Sequence, residues 1–140
     1  MGTSYWKIYN IFLSKITDFD LPHMNDDELL AYCNGLLSSA LIKTRKIGHD
    51  LNDRDDVICS FNIELTDTEC EIIACQMVVE WVERKTNTTQ IIHMFTGTKD
   101  ENMASQANHM KSLMELKDKA KSTVTELIRD EKYRAWIEEE

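Results

Sequence analysis

Proline occurs once in this chain, at Pro22, and glycine only at Gly2, Gly35, Gly48 and Gly97. So few breakers, among many Leu, Glu, Lys, Met and Ile, argue for helices. No apolar run approaches the ~20 residues that a membrane span needs. The opening "MGTSYWKIYN" lacks a basic region followed by an uninterrupted apolar core, so no secretory signal is expected. Trp6 stands where the myristoylation pattern wants Ser or Thr. Basic residues are outnumbered, and the formal net charge of −9 argues against sequence-independent nucleic-acid binding, which depends on neutralising phosphates. Cys33, Cys59, Cys70 and Cys75 form no Cys-x-x-Cys pair, and His23, His49, His93 and His109 supply no ligand spacing, so no metal is expected. The cysteines read as small buried apolar residues in a reducing compartment. There is no Ser-His-Asp order, no phosphate-cradling glycine loop and no pair of carboxylates in an apolar setting, so neither an enzyme nor a cofactor is expected.

What is present is enough chain, 140 residues, for one domain with a real core. The spacing of Tyr5, Ile8, Phe12 and Ile16 predicts a helix over 4–16. Asn25, with Glu28 three residues on, is a variant capping box opening a helix to about Ile47, with Gly48 as its stop. The basic "KTRK", Lys43 to Lys46, is read as complementing that helix's dipole.

The acidic stretch "HDLNDRDD" follows. Counted as a calcium loop from Asp53, it puts Ile58 where a glycine must turn; counted from Asp50, it puts Arg54 where a ligand must sit. It is therefore read as a polar connection whose Asp and Asn side chains hold local turns or cap a short helix. "FNIEL" alternates apolar and polar, giving a short extended segment at about 61–65. Thr66 and Glu69 match the capping box, and the helix they open is apolar around most of its circumference, as expected of a central core helix.

"RKTNTTQ" is expected to break that helix, with a short helix after it presenting Ile91, Ile92 and Phe95. A second capping box, Thr98 with Glu101, then opens a last helix without proline or glycine. Glu115 and Lys119 are spaced as a favourable surface pair on it. At about 30 residues this helix would be ~45 Å long, longer than the globule is wide. One end should project or pack on another molecule. Met103, Met110 and Met114 form a stripe along it, suited to core or adaptable interface. Tyr133, Trp136 and Ile137 punctuate its acidic end; they either fold back on the core or dock on a partner. These six residues are the candidate partner interface. The expected architecture is all-α: a bundle of four to five helices in one domain over 1–130, with a C-terminal segment, 131–140, available for docking.

The segments "IYNIFLSKITDFDL", "DDELLAYCNGLLSSALIK", "FNIELTDTECEIIACQMVVEWVE" and "SQANHMKSLMELKDKAKSTVTELI" together resemble the head-to-tail connector, or adaptor, proteins of tailed bacteriophages. The resemblance covers residues 5 to 130 and rests on the order and wording of segments, so it assigns no individual binding residue. It implies a small helical virion protein, assembled in the host cytoplasm. Such a protein often stands as a twelve-fold ring of identical copies beneath the portal protein. It meets a tail-side neck protein and continues the DNA channel. An acidic wall would let DNA slide without sticking. The competing expectation is a phage-encoded regulator or inhibitor that binds one host protein through its acidic surface.

Overall fold

Ser4 starts the first helix, its Oγ accepting from the Trp6 N–H at 3.3 Å. The computed structural model describes residues 2–16, 25–44, 50–96 and 100–138, with side chains described except at 87–107, 135 and 138. The first helix, α1, spans Tyr5–Lys15 and buries Tyr5, Ile8, Tyr9 and Phe12, the stripe its spacing predicts. The second, α2, spans Asp26–Thr44. Asn25 caps it by accepting from the Glu28 N–H at 2.8 Å; the Glu28 carboxylate takes the Asn25 side-chain amide at 3.2 Å. Its inward face carries Cys33, Leu36, Leu37, Ala40 and Leu41. Positions 45–49, including Gly48 and the second half of "KTRK", lie outside the described residues.

The acidic stretch resolves into turns. Asp50 accepts from the Asn52 N–H at 3.0 Å, and Asp55 from the Val57 N–H at 2.9 Å. Asp53 accepts the Asn62 side-chain amide at 2.9 Å. Leu51 is buried among these polar residues and anchors the connection. The turns lead into an antiparallel pair, β1 (Arg54–Asp55) and β2 (Ser60–Phe61), in the register Arg54↔Phe61 and Asp55↔Ser60. The chain before α1 lies along β2. Phe61 N–H donates to Thr3 O at 2.8 Å, and Thr3 N–H donates to Ile63 O at 3.1 Å. A Cβ at Gly2 would stand 1.5 Å from the Phe61 carbonyl oxygen, so only glycine permits this approach. The regular strand is thus shorter than 61–65, but the alternation survives as burial: Phe61 and Leu65 are inside and Ile63 is partly so.

The third helix, α3, spans Asp67–Thr96 and is the centre of the molecule, packed against α1, α2 and the last helix. Its capping box forms in both directions: Glu69 N–H to Thr66 Oγ1 and Thr66 N–H to Glu69 Oε1, each 3.1 Å. Every residue from Ile72 to Val82 is buried, as expected of a helix that is apolar nearly all round. The expected break at "RKTNTTQ" does not occur, and the short helix expected after it is the end of α3. Propensity explains the difference. Thr and Asn cost only ~0.5 kcal/mol each in a helix, and no proline or glycine intervenes. The Thr86 hydroxyl also satisfies itself within the helix, on Val82 O at 3.0 Å.

The fourth helix, α4, spans Asp100–Glu138. It has 39 residues, more than the sequence suggested, and is about 58 Å long. The proposed cap at Thr98 lies outside the described residues. Among the described residues Leu113, Ala120 and Val124 are buried, flanked by partly buried Leu116, Leu127 and Ile128. Glu115 and Lys119 are both exposed and form no ion pair, contrary to expectation. The result is an all-α bundle, four helices among the described residues, with one small hairpin and a long last helix.

Candidate partner-binding site

The end of α4 leaves the bundle because the helices differ in length. Only 97–99 separates α3 from α4, so the two run antiparallel. Lys117 reaches Glu83 across them at 3.5 Å. Equal steps outward from that pair bring Asp67, where α3 begins, level with about position 133. Past that level α4 continues without α3 beside it. Tyr133, 60% exposed, stands at that level, and Trp136, 57%, and Ile137, 48%, stand past it.

The direction they face follows from helical geometry. At about 100° per residue, Tyr133 lies roughly 160° round from the face centred on Leu113, Ala120 and Val124, Trp136 roughly 140° and Ile137 roughly 120°. They share the side of α4 turned away from α3. Tyr133 and Trp136, one turn apart, hold their rings 6.0 Å between centroids at 33°. Arg129, Lys132 and Arg134 are exposed around them. In this structure these residues do not pack on the core: they form a charge-rimmed apolar patch near the end of α4. Such a patch suits an amphipathic helix laid in a partner's groove.

The methionines belong to another surface. Met110 lies roughly 60° from the buried face and is half-buried; Met114 lies roughly 100° away and is 40% exposed. About 28 Å of helix separates Met114 from Tyr133. The Met103 side chain lies outside the described residues. The six predicted residues therefore divide into a distal aromatic patch and a methionine flank, rather than one site.

Some of what the structure assembles had no sequence signal. Lys43, in the last turn of α2, meets Glu80 Oε1 at 2.6 Å and Glu83 at 3.8 Å, while Glu83 also takes Lys117. Glu80 is nearly buried and further accepts the Gln76 amide at 3.2 Å. Lys43 thus does more than complement a helix dipole: it joins three helices through two α3 carboxylates. Two further apolar residues, Val57 and Ile58, are exposed at the hairpin tip, where Cys59 takes a φ of 53°.

The thiols show what chemistry their surroundings favour. Cys33, Cys70 and Cys75 are buried, Cys59 is partly so, and no disulfide links them. Burial pushes the Cys33 and Cys75 thiols up to about 11, the opposite of the shift that makes a nucleophilic thiolate. Among the described residues no three His, Cys, Asp or Glu side chains converge as a metal site, and no helix is long and apolar enough to cross a membrane. Of the histidines, His109 is exposed, and the side chains of His23, His49 and His93 lie outside the described residues.

Fold and surface together define a class: a small all-α bundle whose last helix overhangs and presents an aromatic patch. Comparison with protein-family models, curated proteins and solved structures finds no match to this chain.

Proposed function

We propose that the protein is a structural component of a tailed-phage neck: a head-to-tail connector that forms a ring beneath the portal and continues the DNA channel to the tail. The observation that carries this reading is the end of α4, which exposes Tyr133, Trp136 and Ile137 at and past the level where α3 begins. An attachment element of this kind lets a small folded domain join a larger assembly without rearranging its core. The resemblance of residues 5 to 130 to connector proteins supplies the biological setting. The excess of acidic residues fits a channel wall from which DNA must be released, and the DNA passes without specific binding.

Mass photometry of the cognate portal ring mixed with the chain tests this. The portal should gain mass in steps of one 16.3 kDa chain, saturating near twelve copies. A portal whose mass is unchanged at saturating chain would overturn the reading and return the protein to the class of small acidic regulators.

A further inference from the structure

A cleft of about 170 Å³ opens between α1, α3 and α4, floored by Cys75, Val78 and Ala120, with Leu116 on its wall and Lys15 and Lys119 at its rim. A cavity of ~150 Å³ with an apolar lining is enough to hold a benzene ring. The cleft lies on the folded part of the molecule, while the patch at the end of α4 lies on the overhang. We infer that the cleft is the socket for Trp136 of a second copy of this chain. The inference rests on the ring-forming reading and names the partner of its exposed patch.

Size, charge and reach single out that occupant. The first is size, since the cleft has room for a six-membered aromatic ring, the outer ring of an indole. The second is charge. The cations Arg129, Lys132 and Arg134 all precede Trp136, and the residues that follow Ile137 are Glu138, Glu139 and Glu140. The cleft's rim is cationic: Lys15 is paired with Glu71 at 2.5 Å, but Lys119 is exposed and no carboxylate among the described residues pairs with it. In a chain of net charge −9, copies repel one another on average, so a contact needs such a local cation. The third is reach. Thr123, at the cleft, and Trp136 lie on one continuous helix, about 20 Å apart along its axis and facing different sides. Trp136 therefore cannot enter its own cleft. A tail that fills the socket of the next copy makes a head-to-tail contact, the type that generates closed rings when its rotation closes.

The full-length chain tests the socket directly. Sedimentation equilibrium at low salt, up to on the order of 300 µM, should show self-association, because one anchored segment makes a weak contact. Trp136→Ala should weaken that association on the order of thirtyfold. Lys119→Glu should also weaken it, and Glu139→Lys in the same chain should restore part of the loss. Both altered sites are exposed or at the chain's end, and circular dichroism verifies that each variant is folded. Carbodiimide crosslinking of a mixture of ¹⁴N and ¹⁵N chains should yield mixed-isotope peptides joining Lys119 to Glu138, Glu139 or Glu140. A chain that stays monomeric at the highest concentration overturns the socket. So does self-association that Trp136→Ala leaves unchanged, or crosslinks that join the tail elsewhere. A monomeric chain that nevertheless loads the portal would remove the socket and keep the connector reading. Socket-dependent rings that never load the portal would do the reverse.

Discussion

Truncating Trp81 to alanine strikes the middle of α3. The indole is 1% exposed and among the largest fully buried side chains of the protein. A buried aromatic side chain removes about 150–250 Å² from water, worth roughly 4–6 kcal/mol at ~25 cal/mol per Å² as an upper figure. Alanine keeps the first carbon, and the surroundings relax into part of the void. The expected loss is therefore about 3–5 kcal/mol. For a chain of this length, an unfolding entropy of ~2.1 cal/mol/K per residue converts that into a fall in Tm of roughly 10–17 °C. Thermal melts by circular dichroism, with urea titration as a second probe, measure it. Trp136→Ala is the internal control: the same truncation at a residue 57% exposed should leave Tm within a degree or two. If Trp81→Ala melted as the parent does, or if the two truncations cost the same, α3 would not be the stability centre.

Three further outcomes are expected. Lys43→Ala strands the nearly buried Glu80 carboxylate with only the Gln76 amide, and should cost about 1–3 kcal/mol, discounted because Lys43 itself is half exposed; a double-mutant cycle with Glu80→Gln that shows no coupling would contradict the network. Burial holds the Cys33 and Cys75 thiols protonated, at about 11 against an ordinary 9.0, so the folded state keeps protons that the unfolded chain sheds. Their contribution is complete below pH 9 and is lost between pH 9 and 11, on the order of 3 kcal/mol each, so Tm should fall steeply over that interval and less steeply in Cys33→Ala or Cys75→Ala. Calorimetry with millimolar calcium or magnesium should show no specific binding, because Asp50, Asp53 and Asp55 already hold turns; a saturable isotherm abolished by Asp53→Ala would refute that.

The sequence made the core legible because its helices carry strong and mutually consistent signals. The Asn25–Glu28 cap, the reciprocal Thr66–Glu69 box and the nearly all-apolar run through Trp81 each point one way, and each forms as expected. The break expected at "RKTNTTQ" failed because polar, β-branched residues weaken a helix without stopping it, and α3 ran on. The patch at Tyr133, Trp136 and Ile137 was visible as composition, but its direction was not. Whether it met the core depended on the relative lengths of α3 and α4, which that same missed continuation altered. The Lys43–Glu83–Lys117 bridge and the cleft beside Ala120 have no sequence signature, because they arise where three helices meet. Gly2 reads as an ordinary residue until the Phe61 carbonyl is seen against it.

As proposed, the last turns of α4 attach the folded domain to its assembly and do not help to hold it together. The most direct test is mass photometry of the portal with the full chain and, side by side, with a chain ending at Asp130. The shortened chain keeps Leu113, Ala120 and Val124, which bury α4 against the core, and so should remain folded. It should fail to add mass to the portal under conditions in which the full chain saturates it. A shortened chain that loads the portal as fully as the parent would contradict the account.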